Sequence, residues 1–303
     1  MSAMSAPPFG QLVTAMVTPF AADGTVDLDA AARLAAYLVD EQANDGLVIS
    51  GTAGESPTTS DQEKADLLRV VLDAVGDRAR VITGVGTFDT HHSVQLARRA
   101  ADLGAHAVLV VTPYYSKPPQ AGLLAHFTEV ADATDLPVMV YDIPHRSGVA
   151  IATETMLRLA EHPRIVAVKD AKGDLTASAR VMANTDLAYY SGDDALTLPL
   201  ISVGAVGIVG TSTHFCGLGV KEMIEAYVAG DPARALELHR RLLPIFTGIF
   251  ATQGCILVKA GLALQGRVDS PLRLPQLSAT PEETAALALA LSAAGLPAGP
   301  VSD

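Results

Sequence analysis

The sequence predicts an α/β protein, a (β/α)8 barrel of the triose-isomerase type with a C-terminal helical extension. Three observations lead there. Eight short, apolar, β-branched segments alternate with eight helix patterns, at a spacing of roughly 20–30 residues. The strand segments are mostly non-alternating, as expected of a parallel sheet buried on both faces. And the polar clusters collect just after the strand segments, where barrels of this kind carry their chemistry.

The strands are expected at 12–18, 47–50, 80–84, 107–112, 137–141, 165–169, 188–191 and 206–209. The helices between and after them are expected at 29–41, 62–75, 90–103, 122–133, 153–159, 175–182, 194–202 and 220–229. Ser60 with Glu63 three residues on is a capping box. Three further Ala- and Leu-rich helix patterns follow at 232–249, 254–265 and 281–294, with no strand among them. The domain reading is therefore a flexible N-terminus at 1–11, a barrel at 12–231, a helical region at 232–296 and a flexible tail at 297–303. The end segments 1–9 and 296–303 read as frayed because they are rich in Pro, Gly, Ser and Ala.

Composition narrows the function. A chain of 303 residues that is 49% hydrophobic can bury a large core. A formal net charge of −12, with no basic block, argues against nucleic acid or an anionic membrane as partner. No apolar run reaches membrane-spanning length, and no basic segment followed by an apolar stretch opens the chain. Cys216 and Cys255 stand far apart and read as reduced thiols. A cytoplasmic location follows as the expectation.

Lys169 is the most informative residue. It closes the apolar run Ile165-Val166-Ala167-Val168. Burial at a strand end favours the neutral, nucleophilic amine, although a lysine there can also reach out to solvent. Gly51-Thr52-Ala53-Gly54-Glu55-Ser56 reads either as a plain turn or as a cradle of backbone N–H groups for a small carboxylate. No Gly-Lys-Ser/Thr follows, so it is not a nucleotide loop. Tyr114, Tyr115 and Tyr141 are candidate proton carriers or ordinary packing residues. Arg146 suits a bidentate grip on a carboxylate, or a place on the surface. Asp193 and Asp194 read as helix caps, not as metal ligands. His91 and His92 read as solvated. Zincin and α/β-hydrolase patterns are absent from the sequence.

Taken together, Thr14–Pro19, the Gly51–Ser56 loop, Val111–Pro118, Tyr141-x-x-Pro-x-Arg146-x-Gly148, Val168-Lys169, Ser191–Asp194 and Arg273–Pro275 carry a resemblance over nearly the whole chain. The chain resembles the Schiff-base-forming class I lyases related to N-acetylneuraminate lyase. Within them it is most similar to the 4-hydroxy-tetrahydrodipicolinate (dihydrodipicolinate) synthase branch, because sugar-acid lyases of the same scaffold generally lack Arg146. The resemblance implies an imine between Lys169 and pyruvate, with no organic cofactor and no metal. It implies Lys169, Tyr141, Thr52 and Tyr115 as catalytic residues, with Tyr115 serving a neighbouring subunit. It implies that Thr52, Ala53, Arg146 and Val209 contact substrate, that L-aspartate 4-semialdehyde is the second substrate, and that the assembly is a homotetramer built from tight dimers. A pyruvate-dependent aldolase for a sugar acid or another 4-hydroxy-2-keto acid is the same-scaffold alternative, and an idle binding barrel the distant one.

Several positions depart from the family pattern. Ala53 stands for a frequent threonine, Asp142 for asparagine and Gly210 for serine. Asp61, Lys64, Phe88 and His92 occupy positions where lysine-inhibited relatives carry other polar groups. The expectation is that free lysine inhibits weakly or not at all.

Overall fold

The structure, a computed structural model, describes residues 7–300. Eight parallel strands close into a barrel in sequence order: β1 (Leu12–Ala15), β2 (Gly46–Ile49), β3 (Arg80–Gly84), β4 (Ala107–Val111), β5 (Val138–Asp142), β6 (Ile165–Asp170), β7 (Ala188–Ser191) and β8 (Gly207–Gly210). Closure is made by β1 against β8, with Leu12 opposite Ile208 and Thr14 opposite Gly210. The strands are buried nearly throughout, which explains why their sequences do not alternate.

The helices are α1 (Leu28–Ala36), α2 (Asp61–Val75), α3 (Thr90–Asp102), α4 (Gln120–Asp132), α5 (Pro144–Ser147), α6 (Thr153–Leu159), α7 (Leu175–Met182), α8 (Thr197–Ser202), α9 (Thr213–Val228), α10 (Pro232–Gly248), α11 (Gly254–Leu264) and α12 (Pro281–Ala293). The capping box of Ser60 and Glu63 opens α2 as expected, and Thr280 with Glu283 makes a second one at α12.

Four differences from the sequence reading have physical causes. The first helix gives way at Tyr37–Glu41 to a π-type turn, in which the Gln42 N–H reaches back to the Tyr37 carbonyl. Helix α9 starts at Thr213 rather than 220, kinked at Cys216. Gly217 hides this turn from sequence patterns. It is glycine because an added Cβ would lie 2.3 Å from the Gln42 carbonyl oxygen. The short helix α5 went unpredicted, since four residues leave no periodicity to read.

The fourth difference concerns the ends. Phe9, placed by the sequence in a flexible N-terminus, is buried against Tyr190, whose hydroxyl accepts its N–H at 3.2 Å. At the other end the Leu296 N–H bonds the Leu291 carbonyl, and Gln265 donates to the Pro297 carbonyl at 2.8 Å. Polar and small composition concealed single anchoring contacts. Residues 1–6 and 301–303 of those two segments lie outside the described residues.

Candidate active site

The pairing of β5 with β6 sets Tyr141 directly opposite Lys169. Register partners in a parallel pair share a face, so both side chains enter the barrel mouth together. The Lys169 amine lies 4.4 Å from the centre of the Tyr141 ring, and both residues are buried. Thr112 fixes Tyr141 from β4: its N–H and its hydroxyl both donate to the Tyr141 carbonyl at 3.0 Å. Gly192 leaves room for the lysine stem. A Cβ at 192 would stand 3.1 Å from Lys169 Cγ and 3.0 Å from the Ala171 Cβ.

Burial pushes the Lys169 amine down to about 8. Asp194 opposes that shift and Arg146 adds to it. The Tyr141 phenol moves the other way, up, because burial disfavours its anion; Arg146 and a hydrogen bond with Thr52 restrain the rise. The amine is thus nearer to neutrality than an exposed lysine, while the phenol keeps its proton.

Asp194 has a larger part than a helix cap. It is fully buried and accepts from the Thr211 N–H, the Ser212 N–H and the Ser212 hydroxyl. Those bonds tie the end of β7 to the loop after β8. Burial raises its pKa, against the pull of those donors. The capping role belongs to Asp193, which accepts from the Ala195 N–H at 3.0 Å.

The cradle reading of residues 51–56 has geometric support. Two non-glycine residues with left-handed backbone, Ser50 and Glu55, both at φ 53°, bracket the loop. Thr18 Oγ1 donates to the Gly54 carbonyl at 2.7 Å. Gly54 packs tightly on the chain after β1, with the Met16 carbonyl oxygen and the Ser50 nitrogen each 3.2 Å from an added Cβ. Among the described residues, neither the Thr52 nor the Ala53 N–H donates to a backbone carbonyl.

A cavity of about 520 Å3 joins Thr52, Ala53, Tyr141, Arg146 and Lys169. Its outer wall is made by Phe246, Phe250, Gln253 and Cys255, from α10, α11 and the loop between them. No local signal marked those four, because a wall contributed by a distant helix looks like any amphipathic surface in sequence. A second cavity of about 210 Å3 meets the first at Thr52, Tyr141, Ile143 and Arg146, and extends to Tyr114. Val209 is packed inside the barrel wall in β8, outside the lining of either cavity, and Thr211 takes its place at the surface of the larger one. Tyr115 is 93% exposed at φ 69° and lines neither cavity.

The departures from the family pattern are accommodated locally. Buried Asp142 accepts from the Ile151 N–H and stands 3.6 Å from the Lys172 amine. Burial still pushes it up to about 6. At Gly210, Thr213 takes the space, since an added Cβ would approach its methyl to 2.7 Å. His92, expected to be solvated, is half-buried and pairs with Asp61 at 2.9 Å. Lys64 turns its amine to the Thr59 carbonyl, and Phe88 packs edge-on against Tyr114 with ring centres 5.5 Å apart.

Known proteins resemble this chain over nearly its whole length. The model of the dihydrodipicolinate synthetase family matches residues 8–294. A 4-hydroxy-tetrahydrodipicolinate synthase of Acidothermus cellulolyticus is 66% identical over 288 residues, covering 95% of this chain and 93% of that protein. A second of that name, from Streptomyces coelicolor, is 61% identical over 95% of this chain and 96% of its own length. The crystal structure of a dihydrodipicolinate synthase from Cyanidioschyzon merolae with lysine bound superposes with a TM-score of 0.93 at 43% identity, over 96% of this chain and 99% of the other.

The shifted amine gives a stability prediction. In the fold Lys169 gives up its proton near pH 8, whereas the unfolded chain holds it up to the ordinary lysine range. The unfolded state therefore binds more protons between those limits, and stability should rise with pH across that window. Lys169→Met should melt at higher temperature than the wild type at pH 7, by on the order of 1–3 kcal/mol, and the gap should narrow above pH 8. A Met variant that melts lower at pH 7 would contradict a desolvated amine.

Proposed function

The chain belongs to the dihydrodipicolinate synthetase family, and from that premise we propose how its cavity condenses pyruvate with L-aspartate 4-semialdehyde to 4-hydroxy-tetrahydrodipicolinate. The observation that carries the proposal is the pairing of a desolvated Lys169 amine with the protonated Tyr141 phenol across two registered strands.

Lys169 attacks the keto carbon of pyruvate. Loss of water from the carbinolamine leaves an imine, and loss of a methyl proton leaves an enamine. The Thr52 and Ala53 N–H groups hold the pyruvate carboxylate, with Ala53 supplying its backbone donor although it lacks the threonine hydroxyl. The enamine carbon then adds to the semialdehyde's aldehyde carbon, and a proton from Tyr141 quenches the forming alkoxide. Arg146 binds the semialdehyde carboxylate from the cavity rim. Finally the semialdehyde amine attacks the imine carbon, closes the ring and expels Lys169 as free amine. Lysine itself provides the electron sink, so the sequence of steps calls for neither an organic cofactor nor a metal.

The proton relay needs another chain. Thr52 and Tyr141 line both cavities, and the smaller one has Tyr114 at its edge. Tyr115 of the partner subunit completes the relay by reaching Thr52. The strained, solvent-facing loop that carries Tyr115 outward on this chain supports that exchange. We infer at least a dimer, and a homotetramer of tight dimers as the working assembly. Among the described residues no helix is long and apolar enough to cross a membrane. A formal net charge of −12 and a pyruvate-consuming reaction favour action in the cytoplasm without nucleic-acid or membrane partners.

Two experiments test the reading. Borohydride reduction with pyruvate should add the reduced three-carbon acid to Lys169, read by peptide mass spectrometry. Arg146→Ala should keep that adduct while kcat/KM for the semialdehyde falls by about 100-fold, the scale of one lost charged grip. Full semialdehyde activity in the variant would remove Arg146 from the substrate site.

The cleft around Tyr114 bears on feedback. Lys64 puts a cation, and Phe88 a ring, where a lysine ligand would need acceptors, and Asp61 is already paired with His92. Free lysine at 1 mM, about physiological scale for a small-molecule ligand, should leave the rate essentially unchanged. Half-inhibition below that concentration would refute this assignment.

A further inference from the structure

We propose that the buried ion pair between Glu55 and Lys259 is a positioning device through which α11 aims the Ala53 N–H and so sets the affinity for pyruvate. The inference rests on the reading of Thr52 and Ala53 as the carboxylate receptor.

The pair is deeply enclosed. The two side chains are 3% and 2% exposed, and Lys259 Nζ lies 2.6 Å from Glu55 Oε1. Taking two charges out of water costs several kcal/mol for each ion, and an apolar pair of similar volume is often at least as stable. Stability alone therefore gives little reason for such a pair. Its remaining bonds point to geometry. Lys259 Nζ also donates to the Pro271 carbonyl at 2.8 Å, and Glu55 Oε2 accepts the Arg273 N–H at 3.1 Å. Phe20 has the Lys259 amine 4.2 Å and the Arg273 guanidinium 4.3 Å from its ring centre. Glu55 is thus held by α11 and by the chain that follows it.

Glu55 in turn holds one particular peptide. Its N–H donates to the Thr52 carbonyl at 3.2 Å. That carbonyl and the Ala53 N–H belong to the same planar trans unit, so they point in opposite directions. Fixing the carbonyl fixes the donor. Glu55 does this from a left-handed backbone conformation that a glutamate adopts only under constraint. The grip and the cavity share one helix, because Cys255 lines the large cavity and Lys259 lies four residues, about one turn, further along α11.

The test compares Lys259→Met with Glu55→Gln/Lys259→Met in the full-length protein. The double variant removes both charges, so it folds even where a lone buried carboxylate would not. Both substitutions should raise the pyruvate KM at least about tenfold. The semialdehyde KM, kcat at saturating pyruvate and the borohydride adduct on Lys169 should stay within about threefold of wild type. A merely structural pair would lower the melting temperature in the single variant and leave the pyruvate KM of the folded double variant at the wild-type value; that result would overturn the proposal. Equal loss in every kinetic constant would overturn it as well. Failure of the wild type itself to trap pyruvate on Lys169 would instead refute the reading of the site on which the inference rests.

Discussion

One strand pairing governs the chemistry. Because β5 and β6 are in register at Tyr141 and Lys169, an amine and a phenol face each other in a space from which water is largely excluded. Desolvation acts on the two groups with opposite sign, releasing a proton from one and retaining it on the other. A slip of either strand by one residue would send its own side chain to the helical shell and part the two groups. Closure of the sheet by β1 and β8 prevents such a slip, since a barrel has no free edge along which a strand can move.

Around this pair the fold spends buried polar groups on orientation. Thr112 holds the carbonyl of Tyr141, Thr18 holds Gly54, and Asp194 gathers three donors from the loop after β8. Asp142 steadies the far end of the loop that carries Arg146 by accepting from Ile151. The first three tie neighbouring strand ends together, the fourth secures the loop after β5, and each of these groups is satisfied, as buried polar groups must be if they are not to destabilise the core. The result is a rim whose backbone is constrained at nearly every strand while the cavity itself remains open.

The barrel and its inner half were legible in the sequence for a definite reason. Strands buried on both faces write themselves as apolar runs. A polar side chain that closes such a run must either reach the open mouth of the barrel or remain buried at a cost. Lys169 and Tyr141 were found that way, Thr52 and Ala53 from the glycine-bounded loop after β2 and the family resemblance, and all four line one cavity. The outer half was not legible. Phe246 and Cys255 belong to helices whose patterns record only that they pack, not against what, and Phe250 lies in the loop between them. Val209 was expected at the substrate and sits within the wall, while Thr211, two residues on and past the end of β8, lines the cavity. Asp194 and Gly192 were visible as a motif, but their functions come from neighbours 18 residues ahead and 23 residues behind, at Ser212 and Lys169.

The glycine at 192 has a bearing on redesign. With the lysine stem and Ala171 both within 3.1 Å of the point where a side chain would begin, position 192 has no spare volume to trade. Space for a bulkier aldehyde is better sought on the α10–α11 side of the larger cavity, where Phe246 and Phe250 form the lining. The molecule thus separates an incompressible chemical floor from an adjustable ceiling, and a library of variants aimed at new acceptors should randomise only the latter.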